Sequence, residues 1–287
     1  VNYDIAHALR LTFAAPVWEH HCELRLAPQA STHQVVRNLD VSVEPATEVL
    51  THRDGFGNPV HAVSVIAPHD SLLVRLRASV ETRLGNPFDF PIVAPSAERS
   101  WLDDALRAQP RLWSYLVHRS PATPDLATLD AAALVWPARD ANKPLLEALQ
   151  TVLEWLEEQI EYVPGFAAIA PALEPAVKQR RATCQDLAHL LISIARAWGA
   201  PARYVMGYHD PGYVEDDEHT LHAWAEVLVP GAGWRGLDPS THLVTNDTYV
   251  VVAVGRDAHD CPPVRSHFKG GDGVPLTTAE LQVVSDQ

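Results

Sequence analysis

The sequence predicts an α+β fold: a helix beginning at Cys184 and packed on an antiparallel sheet, behind a small antiparallel β domain. Three observations lead there. From Tyr3 to about Leu84 apolar residues recur at strand period. From Thr183 to Trp198 they recur at helical period, and from Arg203 to Asp238 three strand-like runs follow in succession.

In the first unit, Cys22, Leu24 and Leu26 alternate with Glu23 and Arg25, and Leu72, Val74, Leu76, Ala78 and Val80 alternate with Leu73, Arg75, Arg77, Ser79 and Glu81. Successive strand side chains point to opposite faces, so this spacing turns one face towards a core. Asp54-Gly55-Phe56-Gly57-Asn58-Pro59 is a dense turn signal between strand-like flanks. Prolines at 87, 91, 95, 110, 121, 124 and 137 then break the chain into short helical or irregular pieces. Pro144 suits the first turn of a long helix whose Leu145, Leu149, Val152, Leu156 and Ile160 line one face, with Glu154, Glu157 and Glu158 on the other. The resulting division is a β-rich domain at 1–85, a Pro-rich connector with short helices at 86–140, and a core at 141–287.

The helix after Thr183 carries the strongest local signals. Thr183 suits an N-cap, Asp186 can reach back as the other half of a capping box, and Leu187, Leu190, Leu191, Ile194 and Trp198 share a face. Gly199 and Pro201 end it. Cys184 therefore falls in the first turn, where unpaired backbone N–H groups and the helix dipole favour a thiolate. Arg203–Tyr208, His222–Val229 and Trp234–Asp238 read as the strands that follow. His222 opens the second and shares its face with Trp224, Glu226 and Leu228, while Asp238 closes the third. Thiol, imidazole and carboxylate occur in the order nucleophile, base and orienting group.

Composition bounds the function. The chain has 287 residues, 47% of them hydrophobic, enough to bury a substantial core. With 22 Lys and Arg against 36 Asp and Glu, the net charge of -14 argues against nucleic acid and anionic membrane surfaces as partners. The absence of a long apolar run and of a basic, apolar leader leads to the expectation of a soluble, cytoplasmic protein. Three unclustered cysteines, Cys22, Cys184 and Cys261, suggest neither a disulfide framework nor a zinc ribbon. No cofactor or metal is expected, and the oligomeric state stays open.

The ordered motifs resemble the transglutaminase-like superfamily of papain-like fold, in particular a bacterial group of candidate cysteine proteases with an N-terminal β-rich bacterial transglutaminase-like domain. The matching text is Cys184-Gln185-Asp186-Leu187-Ala188-His189, Pro201-Ala202-Arg203-Tyr204-Val205 with Gly207-Tyr208, His222-Ala223-Trp224-Ala225-Glu226-Val227, Gly233-Trp234, Leu237-Asp238-Pro239 and Gly255-Arg256-Asp257. It extends to Ile160–Gly165 and, in the first domain, to His21–Pro28 and Arg53–Asn58. The resemblance implies Cys184 as nucleophile, His222 as base and then acid, and Asp238 as the orienting carboxylate. Two positions depart from it: Ala182 stands where glycine is usual, and Leu187 where an aromatic residue is common. The expected activity is acyl transfer on an amide bond of a peptide or protein through a thioester, with hydrolysis favoured. A transglutaminase using an amine acceptor, an amidase releasing sugar from asparagine, and a non-catalytic peptide-binding module are the alternatives.

Other reactive residues have plainer readings. Cys22 shares a strand face with Leu24 and Leu26 and reads as buried and inert; Cys261, before Pro262-Pro263, reads as a loop thiol. His189 lies five residues beyond Cys184, about 500° around a helix, and points away from it. His20-His21-Cys22 places consecutive side chains on opposite strand faces, unsuited to one ion. Glu215-Asp216-Asp217-Glu218-His219 reads as a solvated acidic loop; a cation site is named, but the run lacks the alternate-position ligands and glycine of an EF-hand loop, and recognition of a basic substrate group is the livelier alternative. Trp224 and Tyr208 read equally well as walls of the acyl site or as core aromatics.

Overall fold

The computed structural model describes residues 1–129, 134–165, 172–210 and 221–286. The acidic run 215–219 lies outside them. The N-terminal unit is organised by one long strand, β1 (Asn2–Leu24), with β2 (Gln34–Glu44), β3 (Val49–Arg53), β4 (Pro59–Val65) and β5 (His69–Thr82). Their order is β2-β5-β1-β4-β3. The alternation seen in the sequence is realised: Leu72, Val74, Leu76, Ala78 and Val80 of β5 are all buried.

Among the described residues, 86–140 contribute two α-helices, α1 (Pro95–Ala108) and α2 (Leu112–Val117), and a 3₁₀ turn at Leu126–Thr128. Leu102, Leu106 and Leu112 pack against Leu228 of the core, so this stretch folds onto the sheet. The core continues with α3 (Leu145–Gln159), β6 (Glu161–Tyr162), α4 (Leu173–Gln179), β7 (Arg181–Ala182) and α5 (Cys184–Ala197). Next come β8 (Ala202–His209), β9 (His222–Val229), β10 (Gly233–Asp238), β11 (Leu243–Val244) and β12 (Tyr249–Gly255). These five form an antiparallel sheet, β11-β10-β9-β8-β12, with α5 packed on β8 and β9.

Two expectations are corrected. The last strands, β13 (Val264–Gly270) and β14 (Leu276–Asp286), return to the N-terminal sheet, so the core does not run to residue 287. Residues 2–12 of β1 lie between β5 and β14, and residues 21–24 between β4 and β13. This return is a long-range pairing, invisible to local periodicity. Helix α5 is also not greasy on one face only: every residue from Cys184 to Arg196 is buried. Arg196 is tolerated there because it donates to the carbonyls of Tyr115, His118, Ala202 and Arg256 and to Thr123 Oγ1.

The two sheets are joined by side-chain amides that complete the exposed backbone of edge strand β12. Gln34 donates to Val251 O and accepts from Val251 N, both at 2.8 Å. Asn58, in the turn flagged by the sequence, does the same for Val254, again at 2.8 Å. An unpaired edge would otherwise leave buried backbone groups unsatisfied.

Gly207 marks the closest approach of a core-sheet glycine to another backbone. A Cβ there would lie 2.1 Å from Val250 O and 2.6 Å from Trp224 Cη2. Because one contact is backbone, relaxation is costly; Gly207→Ala is expected to lower stability by about 3 kcal/mol, read as an earlier urea midpoint at unchanged slope.

Candidate active site

Cys184 is placed by its helix cap. Thr183 Oγ1 accepts from Asp186 N, and Asp186 Oδ2 accepts from Thr183 N at 2.9 Å, so both halves of the capping box form. Parallel pairing of β6 with β7 lays residues 161–165 alongside the start of the helix. There the thiol, 3% exposed, points to Gly165 O at 3.8 Å.

The other groups come from the sheet. His222 Nε2 and Asp238 Oδ2 are 2.6 Å apart. Asp238 is fully buried and saturated: Oδ2 also accepts from Tyr249 Oη at 2.9 Å, and Oδ1 accepts from Ser240 N at 3.0 Å and Ser240 Oγ at 2.7 Å. Burial alone would push the Asp238 carboxyl up, but the His222 charge and hydrogen bond, with the Ser240 bonds, hold it down at about 2. The imidazole shows the complementary effect. Burial pushes the His222 pKa down, yet the Asp238 charge and hydrogen bond, with a smaller contribution from Cys184, raise it to about 10. With Nε2 on the carboxylate, the ring's second nitrogen, Nδ1, does not meet Asp238.

The wall behind the imidazole is aromatic. Trp224 lies nearly parallel to His222, with ring centroids 6.2 Å apart, and Tyr249 is stacked on His209 at 4.1 Å. Trp224, 1% exposed, supports the base from behind; Tyr208 is fully buried, and its hydroxyl donates to Leu26 O at 2.7 Å while lying 3.0 Å from His7 Nδ1. Neither offers the open surface expected of a substrate wall. Tyr162 does, being 40% exposed. Burial raises its phenol to about 12, helped by the negative charges of Cys184 and Asp238.

Sequence reading missed Tyr162, His209, Ser240 and Tyr249. Ser240, two residues beyond Asp238, could have been found from the short-range serine–carboxylate bonds common in turns. The others need strand register. His189 behaves as expected of a residue facing away: it is buried, stacked on Tyr204 at 4.9 Å, accepts from Ala258 N, and burial lowers its pKa to about 3. Burial raises the Cys22 thiol to about 11. Cys261 lies in the loop between β12 and β13, as expected, but is buried, and burial raises its pKa well above normal. His20 bonds Ser266 and His69, whereas His21 bonds Ser64.

Residues 133–239 match the profile of the Transglutaminase-like superfamily, and residues 3–81 that of the Bacterial transglutaminase-like N-terminal region. The chain carries a transglutaminase-like core. An uncharacterized protein of Mycobacterium leprae is 28% identical over 277 residues, covering 95% of each chain. One from Mycobacterium tuberculosis is 28% identical over 299 residues, covering 99% of this chain and 90% of that one. Among solved structures, a candidate cysteine protease from Cytophaga hutchinsonii aligns with a TM-score of 0.73 at 18% identity, covering 100% of this chain and 91% of that one. That likeness shows the transglutaminase-like fold, with its β-rich N-terminal region. No helix among the described residues is long and apolar enough to cross a membrane.

Proposed function

We propose that the transglutaminase-like core is a cysteine-dependent acyl-transfer enzyme with Cys184, His222 and Asp238 as its triad, hydrolysing an amide bond of a peptide or protein. The observation that carries this reading is the 2.6 Å His222–Asp238 bond, which pairs a base with its orienting carboxylate in the sheet that α5 packs on. The Cys184 thiolate attacks the carbonyl carbon, and the developing oxyanion is held in part by the Cys184 backbone N–H at the start of α5. As the intermediate collapses, the proton on His222 Nδ1 passes to the leaving amine and a thioester remains. Nδ1 then takes a proton from water, whose oxygen attacks the thioester; the acid departs and the thiolate–imidazolium pair is restored. Asp238 keeps the ring aligned and offsets its charge throughout.

Hydrolysis rather than amine transfer is supported by the name of the Cytophaga hutchinsonii structure. Three free thiols support work in a reducing compartment such as the cytoplasm. Tyr162 replaces Tyr208 and Trp224 as the aromatic group proposed to meet substrate.

Alkylation tests the thiol. With iodoacetamide at pH 6, followed by peptide mass spectrometry, Cys184 is expected to label at least about tenfold faster than Cys22 or Cys261. Uniformly slow labelling would remove the paired thiolate from the mechanism.

A further inference from the structure

We propose that His209, His222 and Asp238 bind a zinc ion that switches the enzyme off, a regulation that rests on His222 acting as the acid and base of the proposed reaction. The residues come from the end of β8, the start of β9 and the end of β10, and each offers one ligand atom, all within 4.8 Å of one another. Two imidazole nitrogens and a carboxylate oxygen are donors zinc accepts, and tetrahedral coordination at about 2.0–2.2 Å places ligand atoms about 3.3 Å apart. That spacing lies between the 2.6 Å of the bonded His222–Asp238 pair and the 4.8 Å upper bound. Small side-chain movements therefore suffice.

His209 is the member that makes this more than a catalytic pair. Its ring lies on Tyr249 and makes no hydrogen bond among the described residues, so recruiting a nitrogen breaks no bond among them. Asp238 is suited to the role as well. Ser240 holds Oδ1 from two sides and Tyr249 Oη donates to Oδ2 at 2.9 Å, keeping the carboxylate oriented while Oδ2 exchanges its His222 bond for the ion. Water fills the fourth position.

Binding would act on the base without touching the sulfur. Zinc takes His222 Nε2, and the proton there leaves for solvent. The ring's remaining proton sits on Nδ1, facing Cys184, so no nitrogen lone pair is left to accept a proton from water. The metal-bound ring also holds that proton too tightly to give it to a leaving amine. Thioester hydrolysis then stalls, whereas acylation by a substrate whose leaving group needs no proton can still proceed.

p-Nitrophenyl acetate is such a substrate and separates the steps. Full-length protein with zinc chloride is expected to turn over at least tenfold more slowly than with chelator, and intact-mass spectra should show an acetyl group persisting on Cys184. Calorimetry should give one zinc per chain, with affinity reduced at least tenfold in His209→Gln and retained in Cys184→Ala, circular dichroism verifying that both fold. No binding, affinity unchanged in His209→Gln, affinity lost in Cys184→Ala, or saturation without slower turnover would each overturn the switch. Absence of acetyl transfer to Cys184 in chelator alone would instead overturn the thiol mechanism, and the zinc site would then stand or fall on calorimetry.

Discussion

Replacing Cys184 by Ala is expected to lower kcat for amide hydrolysis by a factor on the order of 10⁶, leaving only what substrate positioning and oxyanion donors supply. The loss should be chemical and not structural. Among the described residues the sulfur's hydrogen-bonding contact is the long one to Gly165 O, and α5 is held by its Thr183–Asp186 capping box and its buried length. Circular dichroism and the urea transition of Cys184→Ala should therefore stay close to the parent. His222→Ala should cost a comparable factor, and the double variant should be no slower than either single one, because members of a catalytic unit do not contribute additively. A Cys184→Ala protein that still hydrolyses peptide at a tenth of the parent rate would end the thioester mechanism.

Asp238→Asn carries the second large effect, a fall in kcat of about 10⁴-fold with little change in KM. The amide keeps the shape, but the charge that orients and stabilises the imidazolium is gone. A stability signature accompanies it. The His222 pKa is raised from 6.5 to about 10, so its contribution is complete below pH 6.5 and is lost as pH rises through about 10. The Asp238 pKa is lowered from 3.8 to about 2, so its contribution is present above pH 3.8 and is lost as pH falls through about 2. Parent and variant should differ most in urea midpoint between about pH 4 and 6.5, and converge as pH rises through about 10 or falls through about 2. A constant difference across that range would show that Asp238 acts through packing and not through its charge.

Much of the site was legible because its signals are short-range. Thr183 and Asp186 start a helix at Cys184, and Gly199, at φ +83°, ends it. Alternation places His222 and Trp224 on one face, and the order of the motifs matches the superfamily whose profile covers residues 133–239. What stayed hidden depends on which distant strands pair. The pairing of β8 with β12 brings Tyr249 opposite His209, and the pairing of β8 with β9 sets Gly207 opposite His222. Neither register is written in any one strand. For the same reason, Tyr208 could not be told from a wall of the site until its hydroxyl was seen in use by Leu26 and His7 of the N-terminal unit.

Short-range signals alone placed each candidate group: a thiol in the first turn of a helix, an imidazole opening a strand, and a carboxylate closing the next. Capping and side-chain alternation act over a few residues and need no partner. Tertiary structure decided which nitrogen of His222 meets Asp238, that Tyr249 and Ser240 hold the carboxylate, and that β13 and β14 complete the N-terminal sheet. Those outcomes arise from hydrogen bonds and burial between segments far apart in the chain, and their energies exist only once the segments are brought together.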